Sequence, residues 1–271
     1  MSVAVREPAV SNMFYPANPE ELKQMLVYFL NNAPLYNLKP EAVISPHAGY
    51  IYSGQTAAYS YKQFLNLDRN KHYKVLLVGP SHFVPFNGIS FGFYDYWETP
   101  LGRVPVAKDE IEKFVVNNPD FPVTLNTLPH QREHSLEVQV PFLQLVLNDF
   151  SIIPVVYGQI DYRYVEKIIA DIKGRRDDVV VVISTDLSHY YPYDVARQID
   201  KNCLLAVENE DLRFMENCEA CGKIGMEAII DYANKVGWKS KVLDYRTSGD
   251  TAGDKDAVVG YLSAIFYEKE V

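Results

Sequence analysis

The strongest constraint on the fold is a set of short, nearly continuous apolar runs. Four of these runs are rich in valine and isoleucine, and they occupy residues 42–44, 75–78, 152–156 and 179–183. Uninterrupted runs of this length are typical of strands buried on both faces, as in a parallel sheet that is covered by helices. Because helical patterns separate the runs, the sequence predicts an α/β fold.

Helical patterns fill the intervals between these runs. Asn18 is suited to cap a helix whose first residue is Pro19, and apolar residues then recur at helical spacing up to Leu30. Further helices are predicted over residues 55–65, 108–116, 162–172, 194–207 and 220–236. Because no repeat or linker divides the chain, we predict one domain over residues 1–271, with a largely parallel central sheet covered by helices.

The balance of charge restricts the binding partners. The chain has 26 basic and 35 acidic residues, which gives a formal charge of −9. A protein that follows phosphate backbones needs a basic surplus to displace counterions, so we predict no nucleic-acid partner. Hydrophobic residues at 48% and charged residues at 23% are ordinary for a globular protein and exclude a disordered chain.

Three further features bear on the cellular compartment. No segment approaches the ~18 consecutive apolar residues of a membrane-spanning helix. Arg6 and Glu7 interrupt the N-terminal stretch where a secretory signal would be apolar. Three cysteines are too few for a disulfide framework, which fits a reducing environment. We therefore predict a cytoplasmic protein without a membrane segment.

Three histidines follow predicted strands. His47, His82 and His189 each come shortly after one of the apolar runs. Ligands of open α/β sheets bind in the crevice outside the carboxyl ends of the strands, so these side chains are expected to meet there. Any one of them alone is explained by hydrogen bonding to loop backbone, whereas three at equivalent strand ends favour a shared site. Imidazole is the commonest metal ligand in proteins and titrates near neutral pH.

A fourth histidine, His134, follows Glu133 just before a helical pattern over residues 136–147. A helix start lowers the pKa of an imidazole and binds anions through its free N–H groups. The alternative is a loop histidine beside a solvated carboxylate. Pro141 lies inside the helical pattern and predicts a helix that is kinked or starts late.

Carboxylates and glycines are concentrated in a loop near the C-terminus, over residues 244–256. Two imidazoles and one carboxylate on one face of an ion form the ligand set of non-haem Fe(II) oxygenases. We therefore expect Asp250, with Asp254 as the second choice, to supply the oxygen ligand. The alternative is an ordinary turn.

The cysteines and one tyrosine have simpler explanations. Cys218 and Cys221 form a CxxC motif at a helix start, but this is only half of a four-ligand zinc site, so we favour packing over redox or metal chemistry. Cys203 is predicted to be a buried helix residue. Tyr50 lies beside the proposed site and is expected either to fill the core or to contact a bound ligand.

Several motifs together resemble the Memo family, whose bacterial and archaeal members are also called AmmeMemoRadiSam system protein B. The resemblance extends over nearly the whole chain. The motifs are REPAV at residues 6–10, FYP at 14–16, PHAGYIYSG at 46–54, GPSH at 79–82, EHSLEVQVPFLQ at 133–144, DLSHY at 186–190, Cys221-Gly222, YRTSGD at 245–250 and VGY at 259–261. One departure is Asn12, where the family is expected to have glycine, but asparagine also tolerates positive φ.

This resemblance implies a fold similar to that of class III extradiol dioxygenases, which hold iron with two histidines and a glutamate. By position, His47 and His82 match the two histidine ligands. His189 matches the acid/base histidine of these enzymes, and His134 matches a second active-site histidine.

At the third ligand position the chain departs from this pattern and offers Asp250 or Thr251. Memo proteins are described both as signalling adaptors that bind phosphotyrosine peptides and as metal-dependent redox proteins. Prokaryotic members are associated with AMMECR1-like and radical SAM proteins. The resemblance therefore implies a small-molecule or peptide ligand and these two partners, but it does not define a reaction.

Two main hypotheses about function follow. The first is a metal-binding, dioxygenase-like oxidoreductase in which His47, His82 and Asp250 hold Fe(II), or alternatively Zn or Cu. His189 then shuttles a proton, and His134 stabilises a developing anion. The residues expected to contact the ligand are Tyr50, Glu133, Asp186 and Ser188. The second hypothesis is a binding module without a cofactor, which holds phosphorylated or anionic ligands or peptides in the same crevice. A zinc-dependent hydrolase with the same ligands is a third alternative.

Overall fold

The computed structural model describes residues 2–270, and twelve strands and eight helices lie in that range. The strands are β1 Val5–Arg6, β2 Ala42–Ser45, β3 Tyr73–Pro80, β4 Ile89–Phe91, β5 Tyr96–Thr99, β6 Gly102–Pro105, β7 Val123–Thr124, β8 Phe150–Tyr157, β9 Val179–Ser184, β10 His189–Tyr191, β11 Trp238–Thr247 and β12 Val258–Glu268. The helices are α1 Pro19–Asn31, α2 Tyr50–Lys62, α3 Lys108–Asn117, α4 Leu128–Gln131, α5 Val140–Val146, α6 Tyr162–Ile172, α7 Tyr193–Glu208 and α8 Lys223–Val236. Short 3-10 turns occupy Gln63–Asn66, Glu137–Gln139, Leu212–Asn217 and Ser248–Asp250.

The four apolar runs form the centre of a large mixed sheet. Nine of the described strands belong to it, in the order β10-β12-β2-β9-β3-β8-β4-β7, with β11 paired to β12. The central strands β2, β9, β3 and β8 are parallel to one another, whereas β12 and β4 pair antiparallel to the two sides of this group. The prediction of an α/β fold with a parallel sheet centre is therefore confirmed, and antiparallel strands complete its edges.

Burial explains why these runs became central strands. Every residue of β2, β8 and β9 is buried, because helices cover both faces of the sheet. A strand buried on both faces has no solvated side and is therefore apolar throughout, rather than alternating. The N-terminal strand β1 joins β5 and β6 in a separate three-stranded sheet, in the order β1-β5-β6.

Local signals set most helix ends. The side chain of Asn18 accepts hydrogen bonds from the N–H groups of Glu20 and Glu21, as predicted for the start of α1. Helix α2 begins at Tyr50 rather than near residue 55, and it therefore contains Gly54. A Cβ at Gly54 would lie 2.5 Å from the ring of Phe29, so this glycine allows α1 and α2 to approach closely.

The start of α7 differs from the prediction. The helix begins at Tyr193 after Pro192, whereas the sequence indicated Asp194 as the cap. Of the two outcomes predicted for the helix at Pro141, the late start is confirmed, because a 3-10 turn occupies Glu137–Gln139 and α5 begins only at Val140. Within residues 2–270, no helix combines the length and the apolar character that crossing a membrane requires.

A disulfide joins Cys203 and Cys218. Cys203 is a buried residue of α7, as predicted, whereas the expectation that Cys218 serves only in packing is wrong. Cys203 lies on α7, and the 3-10 turn at Leu212–Asn217 returns the chain alongside this helix. The two Cα atoms are consequently 4.8 Å apart, which is within bonding range for a disulfide. A sequence spacing of 15 residues does not show this reversal of the chain, so the pairing depends on tertiary structure.

Reduction of this disulfide is expected to lower the free energy of unfolding by about 3 kcal/mol, because a cross-link over a loop of this length restricts the unfolded chain. Urea unfolding with and without a dithiol reductant measures the change. In the Cys203→Ala/Cys218→Ala double variant, the reductant should have no effect. An equal response of the wild-type protein and the double variant would contradict the stabilising role.

Candidate metal centre

The carboxyl ends of the central strands open into one crevice of about 640 Å³. His47 follows β2, His82 follows β3, and Asp186 follows β9, so parallel pairing brings three distant segments to the same edge. His189 begins β10 and lines the same crevice. The remaining wall is aromatic or small, with contributions from Phe14, Ala48, Gly49, Tyr52, His134, Tyr190, Ser248, Gly253, Asp254, Ala257, Val259 and Tyr261.

Three imidazoles are in mutual contact at the floor of this crevice. The ring centroids of His47 and His82 are 5.1 Å apart, and those of His47 and His134 are 5.4 Å apart. His82 and His134 stack with their centroids 4.6 Å apart. The structure thus brings together the histidines that the sequence placed on different loops.

Cys221 stands next to these histidines. Its Sγ lies 3.2 Å from Nε2 of His47, and the Sγ and one ring nitrogen each of His47 and His82 lie within 4.8 Å of one another. We expected Cys221 to be a packing residue, so the sequence reasoning missed this group. The signal that could have identified Cys221 as a site residue is the Cys221-Gly222 pair before a helix, because this pair is one of the motifs that carry the family resemblance.

Gly222 explains how Cys221 reaches the strand ends. The N–H of Gly222 donates to Oγ1 of Thr185 over 2.9 Å. A Cβ on Gly222 would lie 2.6 Å from the carbonyl oxygen of Ser184, so no larger residue fits without a shift. The missing side chain lets the segment before α8 approach the end of β9.

Among the described residues, Asp250 is in neither group of potential metal-ligand atoms and does not line the crevice, which corrects the expectation that it is the third ligand. Its carboxylate accepts hydrogen bonds from the N–H of Thr247 over 2.9 Å and from the hydroxyl of Tyr193 over 2.7 Å. The contact with Thr247 belongs to the capping box of the short turn after β11. Thr251 donates to the backbone oxygen of Tyr52, and Asp254 reaches only the exposed part of the crevice wall.

Glu133 lies buried beneath His82. One carboxylate oxygen, Oε1, accepts hydrogen bonds from the backbone N–H of His82 over 2.6 Å and from its ring Nδ1 over 2.8 Å. The other oxygen accepts from the N–H of His134 over 3.0 Å. Glu133, His82 and His134 also form a second group whose potential ligand atoms lie within 4.8 Å of one another. Glu133 therefore supports the histidines from below and does not line the crevice.

Two other residues expected at the ligand lie in the interior. Tyr50 is buried, and its hydroxyl donates to the backbone oxygen of Val138, so the crevice wall is formed instead by Tyr52. Ser188 is also buried, and its N–H donates to Oδ1 of Asp200 on α7. In both places a residue one or two positions away lines the crevice instead, and the sequence alone does not show which of these side chains faces it.

Burial sets the protonation of the crevice. It lowers the pKa of His47 far below the usual value, with the neighbouring imidazoles acting in the same direction. Burial also lowers the pKa of His134, to about 4, and that of His189. Burial raises the pKa of Cys221 to about 12 and that of Asp186 to about 7. At neutral pH these three imidazoles therefore keep free lone pairs, and a Cys221 thiolate needs a cation beside it.

A buried ion pair ties the N-terminal segment to the histidine loop. Nη1 of Arg6 lies 2.6 Å from Oε1 of Glu137, and both side chains are at most 2% exposed. Arg6 also donates to the backbone oxygens of His130 and Glu133. The guanidinium thereby fixes the backbone from which the side chains of Glu133 and His134 project.

Glu137 accepts three further hydrogen bonds from the N-terminal segment, from the N–H groups of Ala9 and Val10 and from the hydroxyl of Tyr15. Asn12 lies between these contacts with φ of 64°, the left-handed conformation that asparagine tolerates. The next residues return the chain to the crevice, where the ring of Phe14 lies 4.7 Å from that of His134.

The fold and the crevice define an α/β protein with a dioxygenase-like architecture and a histidine-lined site at the carboxyl edge of its sheet. The profile of the family described as "Memo-like protein" matches residues 6–265. The chain therefore belongs to the Memo family.

Relatives cover nearly the full length of the chain. A MEMO1 family protein of Aquifex aeolicus is 39% identical over 97% of this chain and 99% of its own length. A MEMO1 family protein of Thermotoga neapolitana is 35% identical over 96% and 99%, and one of Archaeoglobus fulgidus is 34% identical over 97% and 99%.

We expect Glu137→Ala to lower the free energy of unfolding by roughly 3–5 kcal/mol, because it leaves the buried guanidinium of Arg6 without a counter-charge. Chemical unfolding measures the change. Glu7→Ala is the matched control, because Glu7 is an exposed glutamate in the same N-terminal segment, and it should change stability by less than about 0.5 kcal/mol. Equal effects of the two substitutions would contradict a structural role for the ion pair.

Proposed function

We propose that this protein binds a divalent metal ion through His47, His82 and Cys221 and acts as an oxidoreductase of the dioxygenase-like kind. The observation that carries the proposal is the close grouping of two imidazole nitrogens and one thiol sulfur at a crevice. These donors suit Fe(II), Zn and Cu, whereas Mg and Ca prefer oxygen ligands. Fe(II) is our first choice because the fold is dioxygenase-like.

The protonation of the donors supports this assignment. A neutral imidazole is the form that ligates a metal, and burial keeps His47 in this form. The thiol of Cys221 resists ionisation when it is buried, and a bound cation is the group that would stabilise its thiolate. When bound, the ion would polarise a substrate and, for a redox-active metal, exchange electrons.

The other crevice residues have separable roles in this proposal. His189 is neutral at physiological pH and lines the crevice, so it can take a proton from a ligand at its imidazole. His134 stacks on His82 and restricts the position of that ring. Phe14, Tyr52 and Tyr190 give the crevice aromatic surfaces against which a small molecule would pack.

Binding of an anionic or phosphorylated ligand, or of such a peptide, is the second candidate. One observation favours it: α2 begins at Tyr50 beside the crevice, and the start of a helix attracts anions. The N–H groups of Tyr50, Tyr52 and Ser53 already donate to backbone oxygens, which weakens this candidate. Against it, no lysine or arginine of residues 2–270 lines the crevice. An anion would then bind without a cationic side chain, so we favour the metal proposal. The association with AMMECR1-like and radical SAM proteins stays a prediction of the resemblance.

Removal of any one proposed ligand is expected to weaken metal affinity by at least about tenfold, because a three-donor site loses a bond that water replaces poorly. The variants are His47→Ala, His82→Ala and Cys221→Ser. The measurement is metal content and Fe(II) affinity of tag-free protein reconstituted under anaerobic conditions. Oxygen uptake with a catechol panel then tests turnover.

Asp250→Asn is the matched control, because Asp250 is a carboxylate in a neighbouring loop and amide groups can retain the turn. It should bind metal as the wild-type protein does. Equal metal content in the wild-type protein and the three ligand variants would overturn the proposed site. Zinc-dependent hydrolysis without oxygen uptake would replace the oxidoreductase assignment by a hydrolase.

A further inference from the structure

Behind His47 lies a buried hydrogen-bonded group that the metal proposal does not use. Oγ of Ser184 is 2.7 Å from Nδ1 of His47, on the side of the ring opposite to Cys221. Nε2 of Gln139 is 3.0 Å from the same hydroxyl oxygen, and the carbonyl oxygen of Ser135 is 2.6 Å from it. Ser184 and Gln139 are both fully enclosed by protein.

We propose that Ser184, held by Gln139, is a positioning residue that fixes the ring proton of His47 on Nδ1 and thereby presents the Nε2 lone pair to the metal site. This inference rests on the proposed function for its consequence, metal binding. The inference itself concerns only the tautomer of His47, which we expect to be the same in the metal-free and the metal-bound protein.

The number of available protons decides the tautomer. A serine hydroxyl has one hydrogen, and a carbonyl oxygen only accepts. The two oxygens of Ser184 and Ser135, 2.6 Å apart, require a hydrogen between them, and only the hydroxyl of Ser184 supplies it. Ser184 therefore has no hydrogen left for His47, and the 2.7 Å contact requires the ring to donate from Nδ1.

Gln139 prevents the hydroxyl of Ser184 from changing partners. Its Oε1 accepts from the buried hydroxyl of Tyr61, and its Nε2 donates to the carbonyl oxygen of Pro46 over 3.0 Å. This places the NH₂ side of the amide toward Ser184, so that Gln139 also donates to the hydroxyl oxygen. With two donors directed at its oxygen, the Ser184 hydroxyl has to donate elsewhere, toward Ser135.

The contact at Nε2 of His47, on the other side of the ring, agrees with a proton on Nδ1. Nε2 of His47 faces the Sγ of Cys221 at 3.2 Å, and a protonated thiol is a donor to this nitrogen in the metal-free protein. Replacement of the thiol proton by a metal ion leaves the tautomer of His47 unchanged. No proton of the imidazole has to move when the ion binds.

His82 reaches the same state through a different partner. The Glu133 carboxylate only accepts, so its contact with Nδ1 of His82 also places the ring proton on Nδ1. The two histidine ligands thus have unlike supports, a neutral hydroxyl for His47 and a carboxylate for His82. A carboxylate makes an imidazole more basic than a hydroxyl does, so we expect His82 to be the stronger donor.

The experiment compares two serines that differ in this contact. Ser184 and Ser45 are paired across β9 and β2, and both are buried, but among the described residues only the hydroxyl of Ser184 contacts His47 and Gln139. Ser184→Ala and Ser45→Ala therefore remove the same atom from neighbouring strands. The tautomer is read from the ring ¹⁵N shifts of His47 in metal-free protein, assigned by comparison with His47→Asn, and affinity is read from Zn²⁺ titration.

We expect the wild-type protein and Ser45→Ala to show His47 protonated at Nδ1. Ser184→Ala should show a mixture of tautomers and a Zn²⁺ affinity weaker by about 10–100-fold. Protonation of His47 at Nε2 in the metal-free wild-type protein would overturn the inference, and this measurement needs no variant. Unchanged tautomer and affinity in Ser184→Ala would overturn it as well. A wild-type protein with the Nδ1 proton but without Zn²⁺ or Fe(II) binding would instead refute the proposed function and leave the tautomer assignment intact.

Discussion

Parallel pairing of β2, β9 and β3 is the constraint on which the site depends. Parallel strands end at the same edge, so the loops that carry His47, His82 and Asp186 meet although they are far apart in sequence. These strands are buried on both faces, and a shift of one residue in register would turn their side chains toward the wrong helix layer. The hydrophobic pattern that stabilises the sheet therefore also sets the positions of the metal-ligand candidates.

Burial of polar groups then gives the crevice its chemical character. Burial disfavours the charged forms of His47 and His134, and the Nδ1 atoms of His47 and His82 each have a hydrogen-bond partner behind the crevice. The N-terminal segment contributes to this enclosure, since Arg6 and Glu137 fix the loop of His134 and Phe14 covers its ring. The result is a set of imidazole lone pairs whose orientation is fixed by surrounding hydrogen bonds and packing.

The sequence predicted those parts of the site that local pattern determines. A histidine directly after an apolar run, such as His47, is visible because the strand and its end are both local signals. Asp250 was misjudged because a carboxylate in a glycine-rich loop is equally suited to cap a turn, and its contacts with Thr247 and Tyr193 show this second use. The positions of Cys221 and of the Cys203–Cys218 disulfide depend on how α7 and α8 pack. The spacing of residues in the sequence gives no information about this packing.

Helix α7 is bonded to two of the segments that carry residues of the crevice and its surroundings. Asp200 holds the backbone of Ser188, next to His189, and Cys203, less than one turn further along, is bonded to Cys218, three residues before Cys221. A displacement of this one helix would consequently move the segments that carry His189 and Cys221 in concert. The separation of these two side chains is thus coupled to a single helix, and the stiffness of that helix limits how far they can drift apart.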